Sequence, residues 1–321
     1  MERQRNNYID WIKGICIFMV VLGHCSLLNE NVFWFIYRFH MPLFFIISGY
    51  LFNNSISIVI FLKNKFRRII IPYIIFFILS FLINNLLFEK ISLKFAIKVF
   101  ILNGEYLGYI KNYALWYLPT FFVISIIFYY LSKLKSKKLL SLILLLFALI
   151  TVPTYNFLSN AFDIIPFSIQ VIPAGLFFMG IGYIYKNVKL PKINLTIIYI
   201  ISPILFVLGL LLSIHYNGQI LFINSYKYIV SAILIIQFII LITQKCSGKS
   251  IEYIGKHSMI ILGLHRIILF IIDKYILKTI YIQNPILQLI YSFIISITCI
   301  IIILIIHIIF MSIIRIKKRV A

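Results

Sequence analysis

An all-α, polytopic integral membrane protein with about ten transmembrane helices, N- and C-termini cytoplasmic, is the fold class predicted by three observations. Hydrophobic residues make up 63% of the 321 residues, and charged residues only 12%. The mean hydropathy is +1.06. An ordinary soluble domain carries about 25% charged residues, so this chain has too little polar surface to face water on all sides. The apolar residues fall into stretches long enough to cross a bilayer, and the cationic residues sit in short clusters between them.

A span requires roughly 20 mostly apolar residues. Such stretches lie at 11–29, 34–52, 69–88, 114–131, 139–154, 167–185, 195–214, 228–243, 258–272 and 286–311. The first has Asp10 just before it and Lys13 in its first turn, and fits a retained first helix. The third opens on IIIPYIIFFILS behind the basic run KNKFRR, and the tenth is nearly all Ile. With the N-terminus in the cytoplasm, the inner segments hold 21 Lys and Arg and the outer ones seven. That bias follows the positive-inside rule and returns both termini to the cytoplasm. The one local violation is the outer segment 89–113, with Lys90, Lys94, Lys98 and Lys111. Its stretch ISLKFAIKVFILNG is predicted to form a short surface helix.

The net charge of +22 is the charge of membrane-flanking clusters, so no nucleic-acid partner is expected. Cys16, Cys25, Cys246 and Cys299 are scattered without metal-ligand or redox spacing, and no metal is expected. No loop is long enough to bury a core. Residues 1–321 are therefore read as one membrane domain with no separate soluble domain, embedded in lipid and free to form a homo-oligomer.

Ionisable groups inside the apolar zone are costly and face a cavity or one another. On the first span, Lys13 and His24 are eleven positions apart, within about 20° of the same helical face and about 16 Å apart along the axis. Lys13 then lies near the inner surface and His24 past the midplane. Asp10 can pair with Lys13 as an interfacial anchor. In YRFHMPLFFIISGY, Arg38 either snorkels to the outer headgroups or lines a polar interior with His40. Pro42 can kink this helix, and Ser48 and Gly49 allow close helix approach. Arg67 and Arg68 stand before the third span, where they can hold anionic lipid or clamp the phosphates of a cytosolic cofactor. Trp116 and Tyr117 fit an aromatic belt or a platform for a sugar ring. His265 and Arg266 fall mid-span, and a mid-membrane arginine signals a polar interior. His307 is expected to be a core histidine without nearby polar company.

No HExxH, GxSxG or Walker pattern occurs. A histidine of near-neutral pKa suits taking a proton from a hydroxyl, and cations suit an anionic donor or a developing oxyanion. Acyl transfer from a charged thioester to a hydroxyl fits these groups. A transporter of a polysaccharide precursor or organic anion is the alternative, since it also needs polar residues in the membrane.

The stretches YIDWIKGICIFMVVLGH, FHMPLFFIISGYLF, FRRIIIPYIIF, LWYLPTFF, PAGLFFMGIGYIYK and IGKHSMIILGLH, in this order, resemble the acyltransferase-3 superfamily of membrane O-acyltransferases. Within it the chain is most similar to the bacterial fucose 4-O-acetylase-like group. The resemblance implies ten core helices in a bacterial cytoplasmic membrane and acetyl-CoA as acyl donor. It also implies a hydroxyl of a cell-surface polysaccharide, or of its lipid-linked precursor, as acceptor. It makes His24 the essential histidine and general base and Lys13 the basic residue near the acyl-CoA side, and with Asp10, which can pair with Lys13, these are the candidate catalytic residues. It places Arg67, Arg68 and Lys13 against the cofactor and lines the same pocket with the Arg38 to Pro42 stretch; Arg38, His40, Trp116, Tyr117, His265 and Arg266 are the candidate acceptor-binding residues. Lysine at position 13, where the family commonly has arginine, keeps the charge and loses the bidentate fork.

Overall fold

A computed structural model describes residues 7–162, 165–187, 195–214, 225–243, 246–277 and 282–320. Among the described residues every regular element is helical. In chain order these are α1 (Asn7–Gly23), α2 (Glu30–Tyr50), α3 (Ile58–Lys65), α4 (Ile71–Leu87), α5 (Leu93–Leu102), α6 (Tyr117–Leu131) and α7 (Lys137–Ala161). They continue with α8 (Ile172–Asn187), α9 (Leu195–Ile214), α10 (Tyr226–Thr243), α11 (Lys249–Lys256), α12 (Ser258–Ile272) and α13 (Pro285–Val320). Arg3, Arg5, Lys189, Lys192, Lys245 and Lys278, which enter the charge count, lie outside the described residues.

Each of the ten apolar stretches carries a helix. Among the described residues, six helical segments are long and apolar enough to cross a membrane: 30–50, 58–87, 113–131, 137–161, 166–186 and 285–313. The chain is thus an all-α, multi-pass membrane protein. It forms two compact units, Met1–Ile36 with Cys246–Ala321, and Tyr37–Lys245.

In the first unit α1 is the central helix, with eleven of its 17 residues buried. It packs against α11, α12 and α13. The α1–α11 contact is made by backbone. A Cβ on Gly14 would collide with the carbonyl of Ile251, and one on Gly255 with the carbonyl of Asp10. In lipid no hydrophobic force draws helices together, so small residues that let backbones meet take its place. Helix α11 lies in a segment expected to be a plain inner loop. It is amphipathic, burying Glu252 and Gly255 while Lys249, Tyr253 and Lys256 stay exposed. Phe18 on α1 meets Phe293 on α13 at 4.8 Å between ring centres.

In the second unit the basic run before the third span is helical, not a loop. Residues 58–87 form one continuous helix that widens into a π-turn at Phe66–Ile70. Pro72 has no amide hydrogen for the carbonyl of Arg68, and the helix loosens in the turn before it. The surface helix expected within 89–113 is α5. Ser92 caps it by accepting from Phe95 N at 3.2 Å. The rest of that segment is tied down by side chains. Asn112 donates to Ser80 Oγ at 2.9 Å and Asn103 to the Tyr73 hydroxyl at 3.2 Å. Two of its four lysines are satisfied locally, Lys111 by Glu89 at 3.2 Å and Lys98 over the Tyr106 ring at 5.4 Å.

The core of this unit lies around α6 and α8. In the apolar window of 166–186, 61% of residues are buried, against 28% in that of α7, which therefore sits at the rim. The close approach expected at Gly49 is found. Its Cβ would strike the carbonyl of Met179, and a Cβ on Gly182 would strike that of Ile46. At the end of α2 the chain is held by Lys186, which donates to Phe52 O at 3.2 Å, and by Asn54, which donates to Ser132 O at 2.7 Å.

These contacts predict the cost of filling them. Gly49→Ala and Gly182→Ala should each destabilise the purified protein by about 1–3 kcal/mol, since the added methyl meets backbone and not a movable side chain. Thermal unfolding in detergent should show a lowered midpoint for both. Gly209→Ala, whose Cβ would meet side-chain atoms of Ile235 and Leu234 at 3.1 and 3.2 Å, should fall less.

Candidate functional site

The first unit gathers His24, His265 and Arg266. Helix α1 ends at Gly23, one residue before His24, and the His24 amide bonds Val21 O at 3.1 Å in a tightened final turn. His24 is therefore the residue that follows the helix. The equal-face relation expected for Lys13 and His24, which assumed a regular helix through both, holds only as far as Gly23. The turn is capped from outside: Arg266 Nη1 donates to the His24 carbonyl at 3.0 Å. This carbonyl is one of those a helix leaves without an intrahelical partner. The Arg266 guanidinium also stands 4.6 Å from the centre of the Phe270 ring, which shields it from lipid.

His265 is fully buried. Its ring centre is 5.2 Å from that of His24, with the planes inclined by 33°. Its Nδ1 is 3.0 Å from both Ile261 O and Leu262 O, and its own carbonyl accepts from Cys299 Sγ at 3.7 Å. Two further polar residues belong here that were not singled out from the sequence. Ser26 donates to Asp273 Oδ1 at 2.6 Å. Asp273 follows the end of α12, in a π-turn over Asp273–Leu277. Burial raises its carboxyl above the usual range, while the Ser26 hydroxyl and the Arg266 charge draw it back. Its position two helical turns beyond a mid-span His-Arg pair was the available signal.

Lys13 lies 3.8 Å from Asp10 Oδ1, so the expected pair forms. Asp10 is buried and Lys13 half-buried. His307 differs from expectation. It is half-exposed, and its ring lies 5.2 Å from that of His257, whose Nδ1 is 2.8 Å from Tyr253 O. The amphipathic α11 brings this companion, and it was invisible while 244–257 was read as a loop.

The second unit holds the remaining candidates. Arg38 is buried, 2% exposed, with its guanidinium 5.9 Å from the Tyr228 ring centre. That burial excludes snorkelling to the headgroups. His40 is buried and meets the Tyr37 ring edge-on at 4.8 Å. Tyr117 is stacked on Phe121 at 5.3 Å and flanked by Phe44 and Phe45, so it is a packed residue and not part of a lipid-facing belt. Trp116 is half-buried beside it, and its carbonyl accepts from Thr120 at 2.9 Å. Arg67 and Arg68 are exposed on the π-turn. Lys65, one turn earlier, points inward over Phe121, Phe61 and Phe52 at 4.7, 5.5 and 6.0 Å. The widened turn thus separates one inward cation from two outward ones. Among the described residues no three His, Cys, Asp or Glu side chains gather as metal ligands.

A curated relative, the nodulation protein NolL of Sinorhizobium fredii, is 43% identical over 74 residues. That match covers 20% of this chain and 19% of the relative, so the chain is aligned with about a fifth of that protein's length. No solved structure matches the chain. The sequence model of the acyltransferase domain family matches residues 6–305, which is nearly the whole length, and the chain belongs to the acyltransferase-3 superfamily of membrane proteins.

Proposed function

We propose that the chain is a membrane O-acyltransferase that moves an acetyl group from cytoplasmic acetyl-CoA to a carbohydrate hydroxyl. The acceptor is a cell-surface polysaccharide or its lipid-linked precursor. In this reading the chain is one membrane domain of ten spans, in a bacterial cytoplasmic membrane with both termini inside, and related to the fucose 4-O-acetylase-like group. The observation that carries it is His24. In a chain of this superfamily, an imidazole stands just beyond a helix end with an arginine on its carbonyl and a second imidazole 5.2 Å away.

The roles follow from the chemistry of each group. His24 takes the acceptor proton as the hydroxyl oxygen attacks the thioester carbonyl. Arg67 and Arg68 are exposed guanidinium groups suited to bidentate phosphate contacts, and we assign them the CoA diphosphate. Lys13, oriented by Asp10, adds a cation on the donor side. Arg38, His40, Trp116, Tyr117 and Arg266 are assigned to the acceptor region. Arg266, whose guanidinium donates to the His24 carbonyl, supplies positive potential for the developing oxyanion. The preferred path is direct transfer, without an acetyl-histidine intermediate.

His24→Ala should lower kcat for acetyl transfer by about 10²–10⁴-fold, as loss of a general base does. Mass spectrometry of cell-surface glycans should then lose an acetyl-sized increment. Retained acetylation, with no acetyl-CoA binding by the purified wild type, would sink the enzyme reading. Arg67→Ala and Arg68→Ala should raise the KM for acetyl-CoA roughly tenfold each while kcat changes little. Purified protein incubated with radiolabelled acetyl-CoA alone and quenched should carry no label on His24. A labelled His24 peptide would establish the relay instead.

A further inference from the structure

Helix α11 begins without a cap. Its N-cap residue is Gly248, which has no side chain to bond the helix start. Among the described residues the amides of Lys249, Ser250 and Ile251 meet no acceptor, and the first bonded amide is that of Glu252, on Gly248 O at 3.0 Å. The Glu252 carboxylate is buried with Gly255 and caps none of them. Trp11 on α1 adds a further donor. It is 8% exposed, and its Nε1–H is buried without an acceptor. The indole turns this edge toward Gly248, with Nε1 3.5 Å from where a Cβ on that glycine would stand. The side chains of Lys249 and Ser250 are exposed and have no ion pair or hydrogen bond among the described residues. One helix start thus collects donors and a cation, and no acceptor. Bare amides at the positive end of a helix bind anions, and in hydrocarbon an unmet donor is costlier than in water.

A groove of about 460 Å³ adjoins this helix start, between α1, α11 and α13. Lys249, Ser250 and Tyr253 line it from α11, and Phe18, Ile297, Ile301 and Leu304 line it from α1 and α13. Ile297 and Ile301 are 45% and 50% exposed and lie in the apolar stretch of α13, so the groove opens toward lipid. The contacts of Gly14 with Ile251 and of Gly255 with Asp10 make α11 antiparallel to α1. The start of α11 therefore points along α1 toward Phe18, and an anion held there has an apolar channel next to it. The ligand this arrangement suits carries one anionic group and a long hydrocarbon chain. Its headgroup has net negative charge, because no carboxylate pairs with Lys249.

We propose that the start of α11 and the adjoining groove form a binding site for an anionic phospholipid. The phosphate oxygens accept from the free amides at the helix start, the Ser250 hydroxyl and the Trp11 Nε1–H, and the Lys249 ammonium balances the charge. One acyl chain lies along Phe18, Ile297 and Ile301. The lipid supplies the cap that Gly248 does not, at the helix whose backbone meets α1. The site is separate from acyl transfer and does not rest on that reading.

Full-length protein, purified in detergent and stripped of lipid, is titrated with dioleoylphosphatidylglycerol and separately with dioleoylphosphatidylcholine, and bound lipid is counted by native mass spectrometry. Phosphatidylglycerol should fill a saturable site roughly tenfold more tightly than phosphatidylcholine. Lys249→Gln and Trp11→Phe should each weaken phosphatidylglycerol about tenfold, the loss of one hydrogen bond to a charged group. Lys138→Gln, at an exposed lysine of the other unit, should leave the affinity unchanged. If Trp11→Phe does not fold, a phosphatidylglycerol with a photoreactive diazirine in its acyl chain decides with Lys249→Gln. It should label the α13 peptide that contains Ile297 and Ile301 in the wild type, and label it several-fold less in Lys249→Gln protein. Equal affinity for the two lipids, or equal binding and labelling in wild-type and folded Lys249→Gln protein, overturns the proposal. Displacement of bound phosphatidylglycerol by coenzyme A also overturns it, since the anion site would then belong to the acyl donor.

Discussion

Backbone-to-backbone contact at glycine is the constraint on which the polar arrangement depends. In water, α2 and α8 would be driven together by their apolar faces. In lipid that force is absent, and what remains is dispersion at short range. Gly14 and Gly255 bring α1 and α11 to carbonyl contact, and Gly49 and Gly182 do the same for α2 and α8. Such contacts have one register, because moving either helix along its axis puts a side chain where only hydrogen fits. That register sets which turn of α1 meets the segment leading into α12. It thereby fixes the height at which His265 and Arg266 meet His24.

The cost of charge in hydrocarbon then decides what each ionisable group does. The inward-facing cations lie over rings, Arg266 over Phe270, Arg38 over Tyr228 and Lys65 over three phenylalanines. An aromatic face attracts a cation without bringing a carboxylate that would neutralise it. At Arg38 the positive potential is therefore kept, whereas at Arg266 the Asp273 carboxyl also feels the charge. This matches a chain with eight Asp and Glu against 30 Lys and Arg.

The helical fold was legible from apolar length alone, and each stretch read as a span carries a helix. Residues that carry charge in an apolar setting were legible for the same reason, since lipid makes them conspicuous: His24, Arg38, His265 and Arg266 all stand out. What was illegible depended on local backbone chemistry or on contact between distant segments. The run at 58–68 read as a loop because lysine and arginine signal an inner surface, while its continuity with α4 arises from helix propagation through a π-turn. Helix α11 is short and only partly apolar, below what a membrane-span criterion detects. Its absence from that reading hid both the glycine contact with α1 and the companion of His307. Asp273 passed unnoticed because a lone carboxylate after a span is ordinary until Ser26 is placed against it.

The π-turn at Phe66–Ile70 can also be understood as an absorbed insertion. An α-helix that gains one residue must rotate everything beyond it by about 100°, or widen one turn to accommodate the newcomer. Here the widening leaves α4 able to keep its lipid and core faces while the basic turn is aimed independently. The outward guanidinium groups of Arg67 and Arg68 and the inward ammonium of Lys65 are thus uncoupled from the packing demands of the span they precede. Sequence change in this turn has a freedom that the neighbouring glycine contacts deny. A lineage could re-aim the cationic turn toward a different anionic partner, lipid or ligand, while the transmembrane packing stays as it is.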